Sequence, residues 1–309
     1  MIASIFKKST PFNYIIFSVL IFIAFAITNF VGANQIIDPP FICTKVAVLL
    51  FLSGTFFVLN FIIKKNNLTK DSDYSFLFFL FFLLFFPSIF SNVKLLFANL
   101  LILLALRRLY SMQTLKVVKE KIFDASFYIC LASIFQFWSL LFLAVVFLAV
   151  FFYVARDYRN WFIPFVGMAA AAVLFVLYGL IIDQNVFINY ANSVLIDFDF
   201  MYFKNNFQNL ALSIYTMIAV FFIVSLLLVL PNKALNKKAG YKQTLFTYLI
   251  AVLVYLFSAN KSNDLLLFSF FPLAIIATSD IEHFPNYKRN TTILLVILLL
   301  ALFTFFTQL

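Results

Sequence analysis

YSFLFFLFFLLFFPSIFSNVKLLFANLLILLAL, residues 74–106, carries a single charged side chain, Lys94, in 33 residues. A helix that crosses a membrane needs about 20 mostly apolar residues to pass about 30 Å of hydrocarbon. The stretch therefore reads as two crossings, 74–91 and 93–106. Working outward, comparable runs occupy 12–33, 41–63, 122–137, 138–155, 161–182, 210–230, 244–259, 264–279 and 290–307. The total is eleven, and little of the chain lies outside them. The runs 93–106, 122–137 and 244–259 are short, and a re-entrant hairpin replacing one short pair lowers the count to nine. The predicted fold is all-α, a polytopic transmembrane helical bundle forming one domain over 1–309.

Composition supports this from another side. A chain of 309 residues suggests two soluble domains by length alone. Yet 65% of the residues are hydrophobic, 11% are charged, and the mean hydropathy is +1.06. Soluble domains carry about 25% charged residues, so a soluble protein is excluded. The net charge of +10 indicates no nucleic-acid partner, because no basic domain exists to bind one.

Charge position sets the predicted orientation. With Lys7 and Lys8 inside and the loops alternating, 18 Lys/Arg fall inside and 4 outside (Lys45, Lys94, Lys204 and Lys261). Seven acids fall inside and five outside, giving +11 against −1. Cytoplasmic loops hold the Lys/Arg excess, which predicts eleven spans, N-in and C-out, in a bacterial cytoplasmic membrane. Val31-Gly32-Ala33 resembles a signal-peptidase site, but the preceding run exceeds a 7–15-residue h-region. It reads as an uncleaved anchor.

Polar residues outside the spans are few, so candidate sites are few. Residues 183–209 form the longest loop, and long loops are commonly functional. Asn185, Asn189, Asn192 and Ser193 fall on one helical face, with Val186, Phe187, Tyr190, Ala191, Val194 and Leu195 on the other. That pattern predicts an external interfacial helix near 185–195. Asp197-Phe198-Asp199 follows. In an extended strand its two carboxylates share a face and suit one divalent cation, the only cofactor the sequence offers; a solvated turn is the plainer reading. Asp38, before Pro39-Pro40, either caps the second span or serves as an acid.

The external tips of the short hairpins hold Asn92 and Lys94, Gln136 and Trp138, and Asn260, Lys261, Asn263 and Asp264. Polar groups at that depth are buried in protein, face water or snorkel. They predict an outward recess roofed by the 183–209 loop, with Lys94 and Lys261 meeting an anionic lipid phosphate. On the other side, Arg107 to Lys121 reads as a basic amphipathic stretch, with Leu109, Met112, Leu115, Val118 and Ile122 turned to cytoplasmic lipid. A partner surface is its other use. Cys43 and Cys130 sit on different spans without a metal or redox spacing and read as packing residues. His283 is the only histidine and reads as solvated. The Phe excess is compatible with Phe replacing Leu against lipid and marks no cofactor site.

NVKLLFANLLILLALRRLY (92–110) and KIFDASFYICLASIFQFWSLLFLAVVFLAVFFYVARDYRNW (121–161) resemble the middle spans of GT-C-type membrane glycosyltransferases. The resemblance lies in paired short spans and a basic inner loop, over about a fifth of the chain. It implies an outward cavity for a polyprenyl-phosphate sugar and an acid in the first external loop, where Asp38 stands in a short loop. As a whole the chain is similar to Phe-rich integral membrane proteins of the bacterial envelope. Two function classes follow. One is a non-catalytic subunit or lipid-binding scaffold of a larger membrane assembly, its partners being membrane lipids and other envelope membrane proteins. The other is a transferase or polymerase acting on polyprenyl-linked glycan at the outer face, with Asp38 or Asp199 as base, Asp197 as a further catalytic candidate, and Lys94 or Lys261 binding phosphate. Secondary transport is disfavoured, since mid-span charges are nearly absent.

Overall fold

Inside a bilayer every backbone N–H and C=O must be bonded within the chain, so apolar runs of this length fold as helices. The computed structural model describes residues 5–30, 38–181, 185–196, 206–258 and 261–309. Among these, twelve α-helices follow one another: α1 Pro11–Phe30, α2 Pro39–Lys65, α3 Tyr74–Leu84, α4 Val93–Tyr110, α5 Val118–Phe135 and α6 Leu143–Val154. Then come α7 Arg159–Ile181, α8 Asn185–Ser193, α9 Asn206–Val229, α10 Leu235–Phe257, α11 Leu267–His283 and α12 Tyr287–Gln308. Nine helical segments of the described residues are long and apolar enough to cross a membrane. No strand occurs among them, only an isolated antiparallel bridge between Ile196 and Ser258.

Two expected crossings differ in kind from the rest. In 74–91 the α-helix stops after 11 residues, about 16 Å. Pro87 supplies no N–H and forces the preceding residue out of the helical region; Phe86 sits at φ −135°, ψ 80°, and a 3₁₀ turn covers Pro87–Ser91. The other is α5, whose first two turns hold Lys119, Glu120, Lys121 and Asp124. By contrast, the short runs 93–106 and 244–259 belong to helices of 18 and 23 residues, because each continues into polar sequence at one end, Arg107–Tyr110 and Leu235–Gln243.

Local signals explain several helix ends. The Asn92 side chain accepts from the Leu95 N–H at 3.2 Å and the Asn286 side chain from the Arg289 N–H at 3.4 Å, so both serve as N-caps. Pro39 and Pro40 begin α2; Asp38 stands at its N-cap position, exposed, with no capping bond from its carboxylate. Arg107 and Arg108 close α4 against its negative end.

Side-chain contacts define two ends of the bundle. At one, Gln136 donates to Ser258 (3.1 Å), Gln308 to the Phe85 carbonyl (2.9 Å) and Asn263 to the Gln208 carbonyl (3.1 Å). At the other, Asn13 donates to Asp73 (2.7 Å), Lys64 to Ser9 (2.8 Å) and Tyr241 to the Leu68 carbonyl (2.7 Å). We refer to these as the Lys94 end and the Lys64 end.

The core lies around α3 and α11. Every residue of α3 is buried, as is the whole crossing stretch of α11. Phe78 meets Phe222 edge-on at 5.3 Å, Phe82 meets Tyr215 at 5.6 Å, and Phe86 stacks on Phe270 at 6.0 Å. The Phe run of 76–86 is thus interior packing and not a substitute for lipid-facing Leu. In α7 the buried residues are Asn160, Pro164, Gly167, Ala171 and Gly179, a stripe of mostly small side chains. A Cβ on Gly167 would stand 2.1 Å from the Ser126 Oγ and 2.9 Å from the Phe123 carbonyl oxygen. This close approach is the small-residue packing that joins membrane helices where no hydrophobic effect drives them together.

Candidate functional site

At the Lys94 end, α4, α5, α7 and α8 enclose a cleft of about 690 Å³. Phe97, Leu101, Leu131, Ile134 and Leu174 make its walls apolar. Lys94, Tyr178, Tyr190 and Ser193 supply its polar groups. The helix expected near 185–195 is observed as α8 and forms one wall. Its docking depends on Gly179: a Cβ there would lie 2.3 Å from the Phe187 ring. Phe175 holds the same helix through Phe187 (5.5 Å) and Tyr190 (4.8 Å). The Tyr190 hydroxyl lies 3.5 Å from the Ser133 Oγ, and burial pushes the phenol's pKa above its ordinary value. Lys94 is exposed, and among the described residues it has no acidic partner. The cleft thus offers one free cation and the Tyr178 and Tyr190 hydroxyls over apolar walls, the Ser193 hydroxyl donating to the Tyr190 carbonyl of its own helix at 2.6 Å.

The other described residues expected in the same recess are not among those lining the cleft. Asn92 caps α4 and donates to the Asp264 carboxylate at 3.5 Å, while Ser88 donates to the same group. Asp264 and Lys261 are both buried, so Lys261 does not stand beside Lys94 on the cleft wall. Gln136 is tied to Ser258, and Trp138 packs on Phe137 and Phe257 at 5.4 Å each. Asn260, Asp197 and Asp199 lie outside the described residues. No group of three or more His, Cys, Asp or Glu that could hold a metal ion occurs among the described residues.

At the Lys64 end the structure corrects two expectations. First, Arg107 to Lys121 is not one amphipathic helix. The α4 helix ends at Tyr110, a 3₁₀ turn covers Ser111–Thr114, and Leu115 and Val117 take left-handed φ values of 54° and 51°. Leu109, Met112 and Ile122 are buried in the bundle, Val118 is half-buried and Leu115 is exposed. Second, α11 extends past the run expected to end at 279 and carries Asp280 and Glu282 in its last turn. Arg289 grips the buried Asp280 at 2.8 and 3.1 Å, and Ser225 donates to the same carboxylate. Glu282 accepts from the Lys70 N–H (2.9 and 3.0 Å) and from Ser72 (2.6 Å). These acids lock loops together; the available signal was Ser279-Asp280-Ile281-Glu282 continuing a helical run without a breaker. His283 is exposed, and both cysteines are free, Cys43 exposed and Cys130 buried.

The helices and their arrangement define a multi-pass helical membrane protein. More particularly, the chain belongs to DUF6427, a family of unknown function whose model matches residues 6–309. No curated protein and no solved structure matches it.

Proposed function

We propose that the protein is a non-catalytic, lipid-binding subunit of a membrane assembly in the bacterial envelope, holding an anionic lipid in the cleft beside Lys94. One observation carries this reading. The cleft pairs apolar walls with a single cation and hydroxyls, and among the described residues no carboxylate or imidazole lines it. Such a lining suits an acyl chain and a phosphate together. The 18 to 4 division of basic residues supports eleven crossings, with α3 and its 3₁₀ turn as one and α5 as another. In that topology the N-terminus is cytoplasmic and the Lys94 end faces outward.

Native mass spectrometry of the protein purified from its own membranes tests the reading. The expected result is a retained phosphate-bearing lipid together with a stoichiometric protein partner. Lys94→Gln should weaken lipid retention about fivefold, since one basic residue near a lipid surface contributes about 1 kcal/mol. Undiminished lipid in Lys94→Gln would sink the lipid site. Loss of growth in Asp38→Asn, Asp197→Asn or Asp199→Asn, with no partner recovered, would instead support the transferase acting on polyprenyl-linked glycan.

A further inference from the structure

A second groove lies away from the cleft, between α1 and α2. Its volume is about 700 Å³, and Phe76 of α3 lies at its inner wall. Along α2 it runs from Val46 to Asn60, about 21 Å at the helical rise. Its lining is apolar along most of that length, with Phe17, Ile21, Phe22, Leu49, Leu50 and Phe56 among the lining residues. A polymethylene chain suits such a lining.

The groove's chemistry agrees with that occupant. Ser18 and Ser53 line it, but their hydroxyls are turned to their own helices. Ser18 donates to the Tyr14 and Ile15 carbonyls (2.9 and 3.0 Å), and Ser53 donates to the Leu50 carbonyl (2.9 Å). They widen the groove as small residues without making it polar. Among the lining residues polarity gathers at the Asn60 extremity, while beyond Val46 at the other Lys45 is engaged by Asn29 of α1. At the Asn60 extremity Tyr14 donates to Asn60 at 3.4 Å and to Asp73 at 3.2 Å. Lys64, one turn beyond Asn60, places its ammonium 5.1 Å from the centre of the Tyr14 ring and 2.8 Å from the Ser9 Oγ. It is exposed and makes no ion pair among the described residues. Asp73 lies behind Tyr14, buried, with Thr10 and Asn13 as further donors. Lys64 is thus the cation that the structure places beside this extremity.

We propose that the α1–α2 groove seats one acyl chain of an anionic phospholipid from the leaflet at the Lys64 end, its phosphate meeting Lys64. The site is separate from the cleft at Lys94 and does not depend on it. To keep the two apart, binding is measured in a Lys94→Gln parent by native mass spectrometry, with phosphatidylglycerol and phosphatidylcholine of identical chains. The parent should retain one phosphatidylglycerol roughly fivefold more tightly than phosphatidylcholine. Adding Lys64→Gln should bring the two lipids to parity. Adding Ser53→Phe, which fills the groove, should remove the bound lipid while the protein stays monodisperse with an unchanged melting midpoint. Because Lys64 is exposed, its variant remains decisive if Ser53→Phe fails to fold. Equal binding of the two lipids by the parent, or full retention in Lys64→Gln, overturns the proposal. So does a change of oligomeric state in Ser53→Phe with lipid retained, which would assign the groove to a second copy of the chain.

Discussion

Helices α7 and α11 are both apolar enough to cross a membrane, yet they occupy opposite environments. In α11 every residue of the crossing stretch is buried, and in α7 only 22%. The buried helix is the less hydrophobic of the two. It carries Ser269, Thr278, Ser279 and Asp280, all buried, and the 3₁₀ turn leading into it adds buried Asn263 and Asp264. The exposed helix shows Phe162, Phe165, Val173 and Leu177 outward and keeps its small residues inside. In water the apolar face marks the core. In lipid the polar and small faces mark it, because only other helices can satisfy a hydroxyl or admit a close backbone.

That contrast breaks most severely if the polar groups of α11 prove dispensable. The Asp280 side chain is 1% exposed and that of Arg289 31%, so Arg289→Ala strands a buried carboxylate with Ser225 as its remaining partner. A loss of about 3 kcal/mol is expected, the lower end for breaking a buried pair because Arg289 reaches solvent. It should appear as a lower unfolding midpoint in detergent. Replacing both partners with apolar residues should recover most of the loss. A single variant as stable as wild type would mean that the pair is solvated in the membrane.

Next in size is Gly167→Ala on the inner face of α7. Its added Cβ meets the Phe123 backbone at 2.9 Å as well as the Ser126 hydroxyl, so α5 and α7 must separate. Overpacking of this kind costs about 1–3 kcal/mol. The same substitution at Gly179 meets only the Phe187 ring, which can swing away. Gly179→Ala should therefore spare the fold and displace α8. Smaller still is Tyr215→Phe. Its hydroxyl lies 2.6 Å from the Ser269 Oγ, but Ser269 also donates to the Leu266 carbonyl at 2.6 Å and stays satisfied. A cost of about 0.6 kcal/mol is expected, as for an average hydrogen bond between membrane helices.

Which residues form helices was legible from hydropathy, because a long apolar run has no other fold in lipid. Helix ends were less legible. Leu235–Phe257 begins nine residues before its apolar run, since a helix continues through Lys237, Lys238 and Lys242 wherever its hydrogen bonds continue. The break at Pro87 was readable from the proline itself. Burial of the Phe76–Phe86 run was not, because Phe facing lipid and Phe facing Phe give the same pattern. The site divided likewise. Lys94 stood out as the lone charge in 33 residues, and it lines the cleft. Nothing local marked Asp264 as buried, since its partners Ser88 and Asn92 lie more than 170 positions away.

The smallest effect belongs to the outer face of α7, and it tests the contrast from the other side. Leu177 is 48% exposed, and truncating it exchanges contacts with lipid tails for other contacts with lipid tails. Acyl chains are as apolar as the leucine, so no hydrophobic penalty arises and no cavity is left behind. Leu177→Ala in the purified protein should shift stability by less than about 0.5 kcal/mol, as for a surface substitution. The same variant expressed in native membranes provides the sharper reading. If α7 meets only lipid, recovery of protein partners is unchanged. If the partner of the proposed assembly docks on this face, the truncation opens a cavity in the interface and partner recovery falls while isolated stability holds. A large loss in the purified protein would overturn the contrast, because it would require Leu177 to be packed against the chain itself.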